Sequence, residues 1–147
     1  MELNGETLRF IREHCKDDVR SLALQAPKYP GVDMPVALTQ IAGRQAAAEK
    51  IPSWYAEEGI LYPRHLSLEQ CSSEATARYK ASIIPESSSG TLTDLTGGFG
   101  IDCAFLSPKF HHVTYVERQE VLCEIASHNF PLLARNHIRI ETKDSSR

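Results

Sequence analysis

The chain has 147 residues, 41% apolar and 24% charged, the make-up of a globular protein with a core of ordinary size. Net charge is −3, and neither half is basic: residues 1–80 hold ten Lys and Arg against eleven Asp and Glu, residues 81–147 six against eight, so bulk charge points to no nucleic-acid surface. No run approaches the roughly 18 to 20 apolar residues of a membrane helix, so no membrane partner is expected, and the charged start MELNGETLRFIREHCKDD lacks an apolar signal core, which makes the cytoplasm the expected location.

The first eighty residues read as a string of helices. Asn4 can cap GETLRFIREHC, where Leu8, Ile11 and Cys15 recur on one face. Asp17 can cap DVRSLALQA, which Pro27 ends, and PKYPGVDMP is a turn-rich connector. Asp33 and Pro35 open a third helix that Pro52 closes, since proline in a first turn loses no hydrogen bond. Ser53 is placed to start a short turn ending at Gly59, and ILYPRHL looks extended. A further helix is expected across SLEQCSSEATARYKASII, opened by the capping box of Ser67 and Gln70 and restarted at Ser72 or Ser73. PESSSG is a short loop of linker composition.

From residue 91 the period changes. TLTDL is β-prone, a glycine turn follows, and DCAFLSPKF is helical until Pro108; HVTYVE reads as a strand, RQEVLCEIASHNFPLLARN as a helix and IRIETK as a strand. His111 and His112 read as a solvated turn ahead of the second strand. Strand, helix, strand, helix, strand is the opening half of a doubly wound sheet. The expected fold is therefore α/β: a helical N-terminal subdomain over residues 1–84, then about three parallel strands of a Rossmann-like sheet over residues 85–147. Three parallel strands leave an open edge and a thinly covered face, so the sheet reads as cut short. Cys15, Cys71, Cys103 and Cys123 are far apart and form no metal-ligand pattern; they read as reduced thiols, and no metal is expected.

The turn carries the chemistry. In TLTDLTGGFGID, glycines at 97, 98 and 100 let a ligand approach the backbone, whose amides favour anions. Yet the dinucleotide fingerprint is incomplete, with Cys103 at its third glycine. Asp94 precedes the turn, and Asp102 stands where a pyrophosphate would sit; it can also serve the helix dipole. Two carboxylates there repel pyrophosphate and suit a cation. Glu117, seventeen residues beyond Gly100, ends the second strand, where an acid accepts from a ribose diol.

TDLTGGFGID together with VTYVER resembles the first two motifs of the class I, seven-strand methyltransferases that use S-adenosylmethionine, a cofactor with a sulfonium, an ammonium and no phosphate. The resemblance assigns Asp94, Thr96, Gly97, Gly98, Phe99, Gly100, Asp102 and Glu117 to cofactor binding, with Thr96 standing where many relatives have glycine. It implies that an acid after the third strand meets adenine, and Asp144 falls there. QIAGRQAAAEKIPSW and LYPRHLSLEQCSSEATARYK extend the resemblance to bacterial methyltransferases that carry a THUMP-like domain, and with it come RNA as the expected substrate and Ser73, Glu74, Thr76 and Lys80 as outer contacts. Base-modifying relatives place catalytic groups in an N/D-P-P-Y/F segment, but none of the eight prolines here is adjacent to another. The catalytic residues are thus expected beyond residue 147, the chain alone is expected to be inactive, and its cofactor binding weak or absent. Two other readings stay open: part of a nicotinamide-dependent (NAD(P)) oxidoreductase, and a non-catalytic helical interaction module.

Overall fold

The computed structural model describes residues 3–64, 71–85 and 90–143. Among these, seven α-helices surround a three-stranded, wholly parallel sheet. No helix among them is long and apolar enough to cross a membrane.

Helix α1 (Gly5–Glu13) starts as its sequence dictates, with the Asn4 carboxamide accepting from the Thr7 amide at 2.8 Å. Helix α2 (Val19–Leu24) is capped by Asp18, which accepts from the Ser21 amide at 3.1 Å, and not by Asp17. Asp17 instead lies 2.7 Å from Nδ1 of His14, a hydrogen-bond partner one turn back that the periodicity did not register. Helix α3 (Met34–Lys50) is capped by Asp33 with Pro35 in its first turn. Asp33 also ties α3 to α1, because its amide donates to the buried Thr7 hydroxyl at 3.0 Å. Phe10, Ile11, Leu22, Met34, Ala37 and Ile41 fill the space between these three helices.

Helix α4 (Pro52–Tyr55) begins on Pro52 with no side-chain cap; Ser53, expected to start this turn, uses its amide to donate to Glu74 at 2.8 Å. Residues 60–62 form no strand with any neighbour. They pass through the core, and two buried amides supply what a sheet would have supplied. Gln40 bonds both backbone groups of Tyr62 at 2.8 and 2.9 Å, and Asn129 bonds both of Leu61 at 2.9 Å. Helix α5 (Glu74–Ser82) starts at Ser73, whose hydroxyl accepts from the Thr76 amide at 3.1 Å. The capping box expected at Ser67 and Gln70 lies outside the described residues.

Strands β1 (Thr91–Asp94), β2 (His112–Glu117) and β3 (Ile138–Thr142) pair in the order β1-β2-β3, with Thr91 opposite His112 and Val113 opposite Ile138. His112 belongs to the strand and not to the turn before it. Helix α6 (Ile101–Leu106) and a 3-10 turn at Ser107–Lys109 connect β1 to β2, Pro108 tightening the end. Helix α7 (Glu120–Leu132) connects β2 to β3 and stops four residues before the expected end at Asn136. Pro131 sits in its last turn, and Ala134 takes a left-handed conformation (φ 57°) that brings the Arg135 amide to the Phe130 carbonyl at 2.8 Å, the hydrogen bond that closes a Schellman cap.

Helix α5 ends at Ser82 and the sheet begins at Thr91, and one core runs across the join. Ala47, Ile51, Trp54, Ile60, Tyr62 and Ala77 pack in one cluster with Phe99, Ile101, Val113, Tyr115, Ile125 and Phe130. Each large side chain in it contributes about 1.5–3 kcal/mol by leaving water. Phe99 of the glycine turn is a member of that cluster, which ties the turn to the core. None of the four cysteines forms a disulfide; Cys103 and Cys123 are buried, whereas Cys15 and Cys71 are partly exposed.

Candidate cofactor site

The site forms where β1 ends and the chain turns over the longer β2. Asp94 closes β1 and accepts from the Thr96 amide at 3.1 Å, a tight local turn. The Gly97 amide then donates to the Val116 carbonyl at 2.9 Å, which holds the turn against β2. Gly98 and Gly100 have φ of +54° and +91°, a region that costs any residue with a Cβ. A Cβ on Gly100 would also stand 2.8 Å from the Phe130 ring, and one on Gly97 would enter the Tyr115 ring.

Tyr115 is the support that sequence reasoning missed. Its ring is fully buried under the turn and its hydroxyl donates to the Gly98 carbonyl. Burial, with Cys123, Glu117 and Asp94 nearby, pushes its phenol far above the ordinary value, so it remains the neutral donor that a carbonyl requires. The alternation in HVTYVE signals an inward Tyr115, but nothing local says that a glycine turn rests on it. Phe99, expected at the ligand, turns its ring into the core, 5.0 Å from Trp54 and 5.6 Å from Tyr62; its backbone alone belongs to the turn.

Three carboxylates converge here. Glu117 ends β2, accepting from the Gln119 amide at 2.7 Å through one oxygen and, at a long 3.4 Å, from the Gly98 amide through the other. Asp102 lies in the first turn of α6; its Oδ2 takes the Lys80 ammonium at 3.0 Å and the Ser72 hydroxyl at 3.0 Å. Its Oδ1 is buried and has no hydrogen-bond partner among the described residues. The side chain as a whole is 35% exposed, so the carboxylate lies at the edge of the turn and not deep in the core. The Asp94 carboxyl is pushed above its ordinary value of 3.8, chiefly by burial, against the Thr96 amide, with Asp102 and Glu117 adding repulsion. Burial and the same two aspartates, Asp94 and Asp102, push the Cys103 thiol up to about 12 and leave it inert.

Lys80 is the one correction to the charge argument. The expectation of two uncompensated acids flanking the turn overlooked this ammonium, delivered from α5. With Asp94, Asp102 and Glu117 against Lys80, the turn still carries two more negative than positive groups. Ser72 joins Asp102 as a partner, whereas Ser73 and Thr76 are engaged with each other at the start of α5, and Glu74 pairs with Arg78 at 2.9 Å. Asp144 lies outside the described residues. Among the described residues no group of three or more His, Cys, Asp or Glu could hold a metal ion.

No protein-family model matches the chain, and no curated protein does. A crystal structure described as that of a "putative methyltransferase" from Porphyromonas gingivalis W83 is similar to it, with a TM-score of 0.73 and 29% identity over 95% of this chain and 35% of that one. The chain thus spans about a third of the length of that protein. With the three parallel strands and the helices around them, the likeness bears out the expected partial Rossmann-like methyltransferase fold.

Proposed function

We propose that this chain is part of an S-adenosylmethionine-dependent methyltransferase, and that the turn 94–102 with Glu117 forms one wall of its cofactor site. The observation that carries this reading is the convergence of Asp94, Asp102 and Glu117 at one glycine turn, with Oδ1 of Asp102 buried and without a hydrogen-bond partner among the described residues. A buried acceptor without a donor costs about 1–3 kcal/mol, and a cationic N–H donor relieves that cost. Pyrophosphate would aggravate it, which weighs against the nicotinamide alternative.

The cofactor, when bound, supplies an electrophilic methyl group on a sulfonium. The chain's residues divide the remaining work. Asp102 would receive the ammonium, and Lys80, held beside it by Ser72, offers the opposite charge for the adjoining carboxylate. Glu117 keeps its Oε2 on the Gln119 amide, while the weakly bound Oε1 accepts from the ribose hydroxyls. Asp94 braces the turn through Thr96 and adds negative potential. RNA as the methyl acceptor rests on the resemblance of the upstream segments, and the cytoplasm as the compartment on the N-terminal composition.

The test is a titration of the ¹⁵N-labelled chain with S-adenosylmethionine and, separately, NADH. We expect weak binding that shifts the amides of Thr96, Gly97, Gly98, Gly100 and Gln119, and loss of those shifts in Glu117→Ala. Shifts of the same amides by NADH, with S-adenosylmethionine leaving them still, would move the assignment to the oxidoreductases.

A further inference from the structure

At the opposite end of α6 lies a second concavity with the opposite charge. Helix α6 runs from the turn at the C-terminal ends of the strands back to their N-terminal ends, and α7 does the same. The segments at those far ends, Pro108–Lys109 and Leu133–Arg135, meet α4 and α5 around a cleft of about 490 Å³. Its described lining includes Arg78, Lys109 and Arg135 and no carboxylate, on a chain whose net charge is −3.

Two of these cations are oriented by the fold. Arg135 donates through Nε to the Ala104 carbonyl at 2.8 Å and through Nη1 to the Leu133 carbonyl at 3.1 Å. These carbonyls belong to the ends of α6 and α7, where helix dipoles favour a cation. Arg78 donates through Nε to Glu74 at 2.9 Å, and its guanidinium lies 5.1 Å from the centre of the Phe105 ring. No hydrogen bond among the described residues engages its terminal nitrogens. Arg78 and Arg135 are close enough to repel: burial first, and then Arg78, depresses the pKa of Arg135. Arg78 and Arg135 thus line one cleft, each held by contacts of its own, and an anion between them would offset their mutual repulsion.

We propose that this cleft binds a phosphate group, with the guanidinium forks of Arg78 and Arg135 on either side of it and Lys109 at its rim. Planar guanidinium forks match phosphate oxygens in pairs, which makes arginine the residue suited to the task. The site is separate from the acidic turn and does not rest on the cofactor assignment.

Two probes test it on the full 147-residue chain. In the first, inorganic phosphate is titrated while the arginine Nε–H signals are followed by NMR, which needs no variant. The signals of Arg78 and Arg135 are expected to move together and saturate; if either stays in place at high phosphate, the proposal is overturned. In the second, a fluorescein-labelled oligouridylate is titrated by anisotropy. Binding that weakens roughly tenfold in Arg78→Gln, with the salt slope reduced by about 0.7 for that one contact, identifies the phosphate as a nucleic-acid backbone. Phosphate shifts without oligouridylate binding identify a free phosphate. Arg135→Gln also loses the two carbonyl contacts and can unfold, so the exposed Arg78 is the deciding variant. Oligouridylate or phosphate binding unchanged in Arg78→Gln overturns the proposal.

Discussion

Two irregular stretches of backbone run side by side through one core, and they are held in opposite ways. Residues 60–62 and the glycine turn touch through Tyr62 and Phe99, whose rings lie 5.6 Å apart. In the first stretch, the amides of Gln40 and Asn129 each give and take one hydrogen bond, so the peptide groups of Leu61 and Tyr62 are fully paired although no strand runs beside them. In the second, the Tyr115 hydroxyl supports the turn from below, while the side chains on its open side are chiefly carboxylates, which only accept. One of their oxygens, Oδ1 of Asp102, is left buried with no donor among the described residues. A closed polar network specifies architecture, while an open one with a surplus of negative groups is a place for a ligand.

The comparison breaks first at Asn129. Asn129→Leu leaves both peptide groups of Leu61 unpaired in the core, and at about 1–3 kcal/mol for each, the expected loss of stability is about 3 kcal/mol. Urea denaturation at constant m-value measures it. A loss below about 1 kcal/mol would mean that packing, and not the amide, holds the stretch. Gly100→Ala comes next. It places a side chain at φ +91° and a methyl group 2.8 Å from the Phe130 ring, for an expected loss of about 2 kcal/mol. The same denaturation experiment reads it, and a neutral result would show a turn far more pliable than its contacts imply.

Asp102→Asn should separate the two regions. Its ion pair with Lys80 is part-exposed, at 35% and 44% for the two side chains, so the stability change is expected to stay under about 1 kcal/mol after screening. The S-adenosylmethionine-induced amide shifts should nevertheless require roughly tenfold more ligand, the effect of about 1.4 kcal/mol. The reverse exchange at the closed network, Asn129→Asp, should cost stability comparable to Asn129→Leu, because the donor to the Leu61 carbonyl is gone. Equal effects of the two exchanges on stability would erase the distinction drawn between the regions.

Much of the second region was legible in the chain and little of the first. TLTDLTGGFGID announces a strand, a left-handed turn and a helix start within a dozen residues, because glycine and aspartate act locally and leave a mark where they stand. Asp94, Asp102 and Glu117 were placed at one ligand for that reason. Lys80 escaped the charge argument because its partner is 22 residues away. Gln40 and Asn129 escaped altogether: each lies in mid-helix, and their partners are 22 and 68 residues distant. Leu61 and Tyr62 read as extended, which their conformation allows, but a strand is defined by its neighbours. Asp18 in place of Asp17 shows the ordinary limit of cap assignment, where adjacent residues have equal chemistry and His14 decides between them.

The smallest effect is the one whose sign discriminates best. Burial holds the Asp94 carboxyl above its ordinary 3.8 in the folded chain, so on raising the pH the unfolded chain releases this proton first. The folded state then binds more protons than the unfolded one, and the contribution of Asp94 to stability falls as pH rises from 3.8 through the raised value. A cation bound beside Asp94 favours the ionised form, so affinity for S-adenosylmethionine should run the other way, rising severalfold over the same window and levelling off above it. Glu74 is shifted the other way, since burial raises its pKa and the Ser53 amide and Arg78 outweigh that and leave it lowered, so its contribution to stability has the opposite sign. The quantity to measure is therefore the difference between the native chain and Asp94→Asn, followed by urea denaturation for stability and by amide shifts for affinity. Opposite slopes tie Asp94 to a cationic ligand. Parallel slopes, or the same difference produced by Asn129→Leu, would make the raised carboxyl a property of the core and remove it from the site.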